Sequence, residues 1–96
     1  MKRNILMLEH DEDDRYITQA VFDEFRYPIA LSFVANSDEF FRHLSERDRK
    51  KERLPSLILL NYHSAPESST DIIRDLKSSK FAHIPVVVLS GSVRAE

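Results

Sequence analysis

The sequence predicts an α/β fold, in which a parallel β-sheet carries helices on both of its faces. Short apolar runs typical of strands alternate with longer segments whose apolar residues recur at helical spacing. The order along the chain is strand, helix, strand, helix, strand, helix, strand, which implies right-handed crossovers between parallel strands. The run Leu57–Asn61 is apolar until its last residue, as in a central strand buried on both faces.

Composition limits the classes of function. The 96 residues are enough for one small domain with one core, and we expect a single domain over residues 1–96. A net charge of -2 indicates no overall attraction to nucleic acid or to anionic lipid. No apolar run approaches the roughly 18 residues of a membrane span. The absence of cysteine excludes disulfides and thiol chemistry and agrees with a cytoplasmic location.

The first strand and helix are predicted from residues 4 to about 26. Residues 4–8 form an apolar run that reads as a buried strand. Asp11 is a suitable N-cap for the helix that follows, and Pro28 ends that helix because the residue before a proline is disfavoured in helical geometry. The residues expected to face the core are Ile17, Ala20, Val21, Phe22 and Phe25.

The second strand and helix are predicted from residues 30 to about 53. Residues 30–35 form the strand, and Asn36 caps the helix together with Glu39, three residues later. The run 45–53 is almost wholly charged with both signs, which is typical of a solvated helix end and connector. The apolar stripe of this helix contains Phe40, Phe41 and Leu44.

The last part of the chain predicts a loop, a third helix and a fourth strand. Pro66 is expected in the loop after Leu57–Asn61, and Ser69 or Thr70 is expected to cap a helix that runs to about residue 79. Ile72, Ile73 and Leu76 should face the core. Residues 85–90 are apolar and β-branched, which favours a strand.

The fourth strand is followed by only six residues, so its apolar edge is expected to lack a covering helix. Exposed apolar edges invite pairing with another chain. We therefore expect either that further residues follow Glu96, or that a second copy pairs or swaps across Val86–Leu89.

Three segments together resemble a known family. They are residues 5–15, Leu57–Asn61 and residues 83–90. They resemble the opening, the phosphoacceptor strand and the switch-hydroxyl strand of response-regulator receiver domains, the CheY-like modules of two-component signalling. The resemblance implies a flavodoxin-like, doubly wound parallel sheet with strand order 2-1-3-4. The family's fifth strand, its lysine and its last two helices have no counterpart here, so the chain is expected to be C-terminally incomplete.

Departures from the family pattern affect its metal and phosphate chemistry. Receivers hold Mg²⁺ with two adjacent carboxylates after the first strand and with the acceptor aspartate, and those positions read Glu9, His10 and Asn61 here. Mg²⁺ prefers oxygen ligands, usually carboxylates, so we expect weak Mg²⁺ binding and no other cofactor. The Asn61 amide is not a nucleophile, so no acyl phosphate forms on it. The chain looks like a degenerate receiver, or pseudo-receiver, with Ser90 at the switch position.

Two interpretations of this edge of the sheet stay open. Glu9, His10, Asn61 and Ser90 fall at the carboxyl ends of strands that should be neighbours, where α/β sheets bind ligands. They are either a relic phosphorylation pocket kept for binding or polar strand ends that face water. A further hypothesis adds His63, which with His10 and Glu9 could hold Zn²⁺ or another transition metal.

The function favoured by the sequence is a bacterial, receiver-like signalling module and not an enzyme. It would contact a sensor kinase or a downstream signalling protein without phosphorylation at the usual position. One alternative is a working receiver that accepts phosphate at Asp11 or Asp13. The other is a small metal-dependent hydrolase that uses His10 as its base, with His63 nearby.

Overall fold

The structure is a computed structural model that describes residues 3–26, 28–61 and 66–89, and of residues 66–70 it describes the main chain only. The elements follow the predicted order. They are β1 (Arg3–Leu8), α1 (Glu12–Glu24), β2 (Ile29–Val34), α2 (Ser37–Arg49), β3 (Leu57–Asn61), α3 (Pro66–Lys77) and β4 (Val86–Leu89).

The strands form one parallel sheet in the order β2-β1-β3-β4. Leu8 of β1 lies opposite Val34 on one side and Leu60 on the other. Asn61 at the end of β3 lies opposite Leu89. The predicted order 2-1-3-4 is therefore confirmed, and the carboxyl ends of all strands meet at one edge of the sheet. Among the described residues no helix is long and apolar enough to cross a membrane.

The larger core cluster lies between the sheet and helices α2 and α3. Phe40 and Leu44 of α2, Leu60 of β3 and Leu76 of α3 are each no more than 1% exposed. Burying a side chain of this size stabilises the fold by roughly 1.5–3 kcal/mol. The α2 stripe predicted from the sequence is confirmed, because Phe41 also packs against this cluster while remaining half-buried.

The smaller core cluster lies on the α1 side of the sheet and contains Ile5, Met7 and Leu59. Helix α1 adds only Phe22, which is half-buried. The predicted apolar face of α1 is wrong in this respect, because no residue of the helix is buried. The stripe that was expected to reach the core is exposed at Ile17 (58%), Val21 (46%) and Phe25 (58%), and Ala20 is exposed as well.

The physical reason lies in how α1 sits on the sheet. The right-handed crossover from β1 to β2 places α1 beside these two strands. Phe22 packs against the sheet. With about 3.6 residues per helical turn, positions 17, 21 and 25 all lie to the same side of position 22 on the helix surface. Ile17, Val21 and Phe25 therefore lie beside Phe22 on the helix surface and not against the sheet, and they stay exposed.

Helix starts are set by capping chemistry that the sequence predicted in part. Asn36 accepts the Glu39 main-chain N–H at 2.9 Å, as expected for its cap, and the Glu39 carboxylate accepts the Ala35 N–H at 2.9 Å.

The third helix begins earlier than predicted. It starts at Pro66, so Ser69 and Thr70 lie within the helix and not at its N-cap. Proline is favoured at a first helical position, where its missing N–H costs nothing.

The strand β4 forms one edge of the described sheet. Val87 and Val88 are each 43% exposed, and Leu89 is 40% exposed. Val88 and Val86 border a cavity of about 270 Å³ beside α3, whose rim carries Lys77 and His83. Both faces of this strand are thus apolar and only half covered.

Candidate functional site

The candidate site lies at the carboxyl edge of the sheet, where β1 and β3 run side by side. Leu8 and Leu60 are register partners, so the next residue of each strand, Glu9 and Asn61, is brought to the same place. The Glu9 N–H donates to the Val34 carbonyl at 2.8 Å, which prolongs the ladder between β1 and β2 by one residue. The sheet itself therefore fixes where the Glu9 and Asn61 side chains begin.

Glu9 is a fully buried carboxylate, with 0% of its surface exposed. Its Oε1 atom accepts a hydrogen bond from Nδ2 of Asn61 at 2.5 Å. Its Oε2 atom accepts the main-chain N–H of Asp11 at 3.1 Å. Both carboxylate oxygens thus accept hydrogen bonds from N–H donors, which offsets the cost of removing the group from water. For Glu9 the interpretation as a polar strand end that faces water is wrong.

The acidic turn after Glu9 starts helix α1. Asp11 is the N-cap, and its Oδ1 atom accepts the N–H groups of Asp13 at 2.8 Å and Asp14 at 3.3 Å. Glu12, Asp13 and Asp14 occupy the first turn, where negative charge favours the positive end of the helix dipole. The Asp11 carboxylate is therefore engaged in capping, whereas Asp13 uses only its main chain here.

The acids of this turn also affect one another. Slight desolvation, with the negative charges of Glu9, Asp11 and Asp13, raises the pKa of the Asp14 carboxyl above its ordinary value. His10 opposes this shift. The turn therefore carries an excess of negative charge that is close to the buried Glu9.

Arg15 also contacts this site, in a way that the sequence did not predict. Its Nε atom donates to the Glu9 main-chain carbonyl at 2.6 Å. The guanidinium carbon lies 5.5 Å from the centre of the Phe33 ring, within the range of a cation–π contact. Arg15 thus clamps the strand end that carries Glu9. The sequence does show a positively charged residue one turn into the helix that follows the first strand, and this was the signal that could have indicated the contact.

The remaining predicted site residues are not drawn together by the described structure. His10 is exposed, next to Glu9 along the chain. His63 and Ser90 lie outside the described residues, so their predicted roles stay predictions. Within residues 3–26, 28–61 and 66–89, no group of three His, Asp or Glu side chains could hold a metal ion.

The geometry of Glu9 and Asn61 does not fit the divalent ion that a receiver fold implies. A metal at this place needs oxygen atoms directed at it. Here Glu9 directs its oxygens at N–H donors, and Asn61 presents its NH₂ group to Glu9. As arranged here, the pair directs no set of oxygen atoms at a divalent ion.

Comparison with known proteins bears on the fold. No family model matches the sequence, and no curated protein matches it. Among solved structures, the response regulator RPA3017 in red light signaling of R. palustris superposes with a TM-score of 0.82 at 23% identity. The phosphorylated cyanobacterial phytochrome response regulator RcpA superposes with a TM-score of 0.78 at 24% identity. Each match covers 97% of this chain and 68% of the other.

At these identities the likeness establishes the fold and not the activity. The superposition agrees with the parallel sheet, its strand order and the helices on both faces. The chain thus has the CheY-like, flavodoxin-like fold of response-regulator receiver domains.

Proposed function

We propose that this protein is a receiver-like signalling module of a bacterial two-component system that acts through protein contacts and without accepting a phosphoryl group at Asn61. The observation that carries the proposal is the hydrogen bond from the Asn61 amide to the buried Glu9 carboxylate at 2.5 Å. Asn61 ends the strand that, in the resemblance, ends in the phosphoacceptor. Its side chain donates to Glu9 there and offers no carboxylate.

The chemistry of phosphoryl transfer supports this proposal. A receiver needs a nucleophilic carboxylate, and the nitrogen lone pair of an amide is delocalised into its carbonyl. Positive charge must also stabilise the transferring phosphoryl group, which is most of the catalysis in such reactions. Glu9, which accepts the Asn61 amide hydrogen bond, is an acid and supplies no positive charge for such a group.

The partners that we propose are a sensor kinase or a downstream signalling protein in the cytoplasm. The half-exposed valines of β4 give a place where a second chain can pair or swap with this one. A net charge of -2 gives no support for nucleic acid as a partner.

The test is incubation with acetyl phosphate and Mg²⁺, or with a phosphorylated histidine kinase, followed by intact-mass spectrometry. We expect no protein carrying an added phosphoryl group. A stoichiometric phosphate that is stable in acid and labile in base would overturn the proposal. Peptide mapping would then distinguish Asp11 from Asp13, and Asp13→Ala is the more telling variant because Asp11 also caps the helix.

The transition-metal alternative has its own test. Because the sequence predicts weak Mg²⁺ binding, calorimetric titration with millimolar Mg²⁺ should give little heat. Tight Zn²⁺ binding that His10→Ala abolishes would instead favour the site made of Glu9, His10 and His63.

A further inference from the structure

We propose that the Asn61 carboxamide takes the place of a divalent cation as the partner of buried Glu9, so that this edge of the sheet is complete without metal. The inference deepens the proposed function. It rests on that function in one respect, because both treat Asn61 as the residue at the phosphoacceptor position of a receiver. It concerns the stability of the pair and not its reactivity.

Glu9 is buried at this edge of the sheet. An ionised carboxylate removed from water is costly unless its oxygens are hydrogen-bonded or neutralised. Glu9 is 0% exposed, and each of its oxygens meets an N–H donor, one from Asn61 and one from the Asp11 main chain. The structure therefore solves the burial problem with hydrogen bonds and without an ion.

The Asn61 side chain supplies one of the two donors to Glu9. A carboxamide NH₂ carries partial positive charge and donates along a fixed direction, whereas a carboxylate at the same place only accepts. Nδ2 is the donor atom of the Asn61 amide group, and it is the atom that faces the Glu9 carboxylate. The residue type at position 61 thus decides whether the pair attracts or repels.

Hydrogen bonds also fix the main chain of Glu9. Arg15 holds the Glu9 carbonyl at 2.6 Å, and the Glu9 N–H is held by Val34 at 2.8 Å. Both ends of the Glu9 main chain are fixed, so the side chain cannot withdraw from residue 61 by a shift of the strand. A second carboxylate placed there would lie against the first, and two like charges at that distance require a proton or a cation.

The experiment measures the thermal melting temperature of the 96-residue chain in EDTA and in millimolar Mg²⁺. It compares the natural protein, Asn61→Asp, and the exchange variant Glu9→Gln with Asn61→Asp. Asn4→Asp is the matched control, because Asn4 is also half-buried and lies at the opposite end of β1 from Glu9.

We expect the natural protein to melt at the same temperature with and without Mg²⁺. Asn61→Asp should melt several degrees lower in EDTA and recover much of the loss in Mg²⁺. The exchange variant restores one amide and one carboxylate, so it should melt above Asn61→Asp in EDTA and be insensitive to Mg²⁺. The control should show no response to Mg²⁺.

Two results would overturn the inference. One is a natural protein that Mg²⁺ stabilises as strongly as it stabilises Asn61→Asp. The other is an exchange variant that is no more stable in EDTA than Asn61→Asp, and this comparison still decides the matter if Asn61→Asp does not fold. A phosphorylated natural protein with metal-independent melting would contradict the proposed function and leave this inference standing.

Discussion

Arg15 donates from its Nε atom to the main-chain carbonyl of Glu9, six residues earlier, at 2.6 Å. This bond links the first turn of α1 to the end of β1, across the acidic turn that separates them. The buried carboxylate and the helix that follows it are therefore positioned as one unit.

The first prediction concerns this clamp. Arg15→Ala should destabilise the protein by about 1 kcal/mol, because it removes a charge-assisted hydrogen bond and a cation–π contact from a half-buried position. Urea unfolding followed by circular dichroism measures the change. Arg42→Ala is the control, since Arg42 is exposed on α2 and makes no ion pair in the described part of the chain. Equal effects of the two substitutions would show that the clamp contributes nothing.

The second prediction compares the two faces of the sheet. Phe40 is 0% exposed within the larger cluster, so Phe40→Ala should cost about 3–5 kcal/mol. Phe22 is half-buried at the edge of the smaller cluster, so Phe22→Ala should cost much less. Denaturant titration of both variants gives the comparison. A loss at Phe22 as large as that at Phe40 would mean that the α1 side is better packed than the exposures indicate.

The fold was predictable because its signals are local and mutually consistent. Continuous apolar runs such as Leu57–Asn61 identify buried strands without knowledge of their neighbours. Asn36 followed by Glu39 identifies a helix start, and the cap forms as expected. The strand order, in contrast, was predicted from a family resemblance, because the periodicity of the residues does not determine which strands are neighbours.

The site was predictable only in part. Because the carboxyl ends of neighbouring parallel strands meet, Glu9 and Asn61 were expected at one edge, and they are in contact there. Which oxygen meets which donor depends on side-chain geometry that no pattern encodes. The Arg15 contact joins residues six apart through a turn, a spacing that belongs to no regular element. The exposed flank of α1 depends on what covers the sheet, which helical periodicity alone does not reveal.

The third prediction concerns pH. Desolvation, with the nearby charge of Arg47, lowers the pKa of His43 below its ordinary value. The folded protein therefore binds a proton at His43 less readily than the unfolded chain, so this contribution to stability is lost as pH falls through about 6.5, the ordinary histidine value. His43→Gln should weaken that loss. Melting temperatures of both proteins between about pH 7.5 and pH 5.5 measure it. The same slope in both proteins would rule out His43 as the cause.

The fourth prediction concerns the β4 edge. If the chain pairs with a second copy through Val86–Leu89, Val87→Lys should shift it toward monomer, because charge on an edge strand opposes pairing. The apolar area at stake stabilises association by roughly 25 cal/mol per Å². Sedimentation velocity reports the change. Val21→Lys is the matched control, because Val21 is 46% exposed on α1 and Val87 is 43% exposed on β4. If these 96 residues without substitution are already monomeric at high concentration, the pairing is contradicted.

The last prediction concerns the restoration of phosphorylation. Asn61→Asp supplies a carboxylate, but it places that carboxylate against Glu9 and leaves His10 where a receiver has an acid. We therefore expect little labelling of this variant by acetyl phosphate in Mg²⁺. Asn61→Asp with His10→Asp should be labelled more, because a second acid strengthens the hold on the hard cation that must neutralise the incoming phosphoryl oxygens. A cation for the product is a further requirement, so labelling should rise again when a lysine-bearing receiver C-terminal segment is fused after Glu96. Intact-mass spectrometry measures the labelled fraction of each variant and so ranks the variants. Full labelling of Asn61→Asp alone would show that the nucleophile was the only function missing from this edge of the sheet.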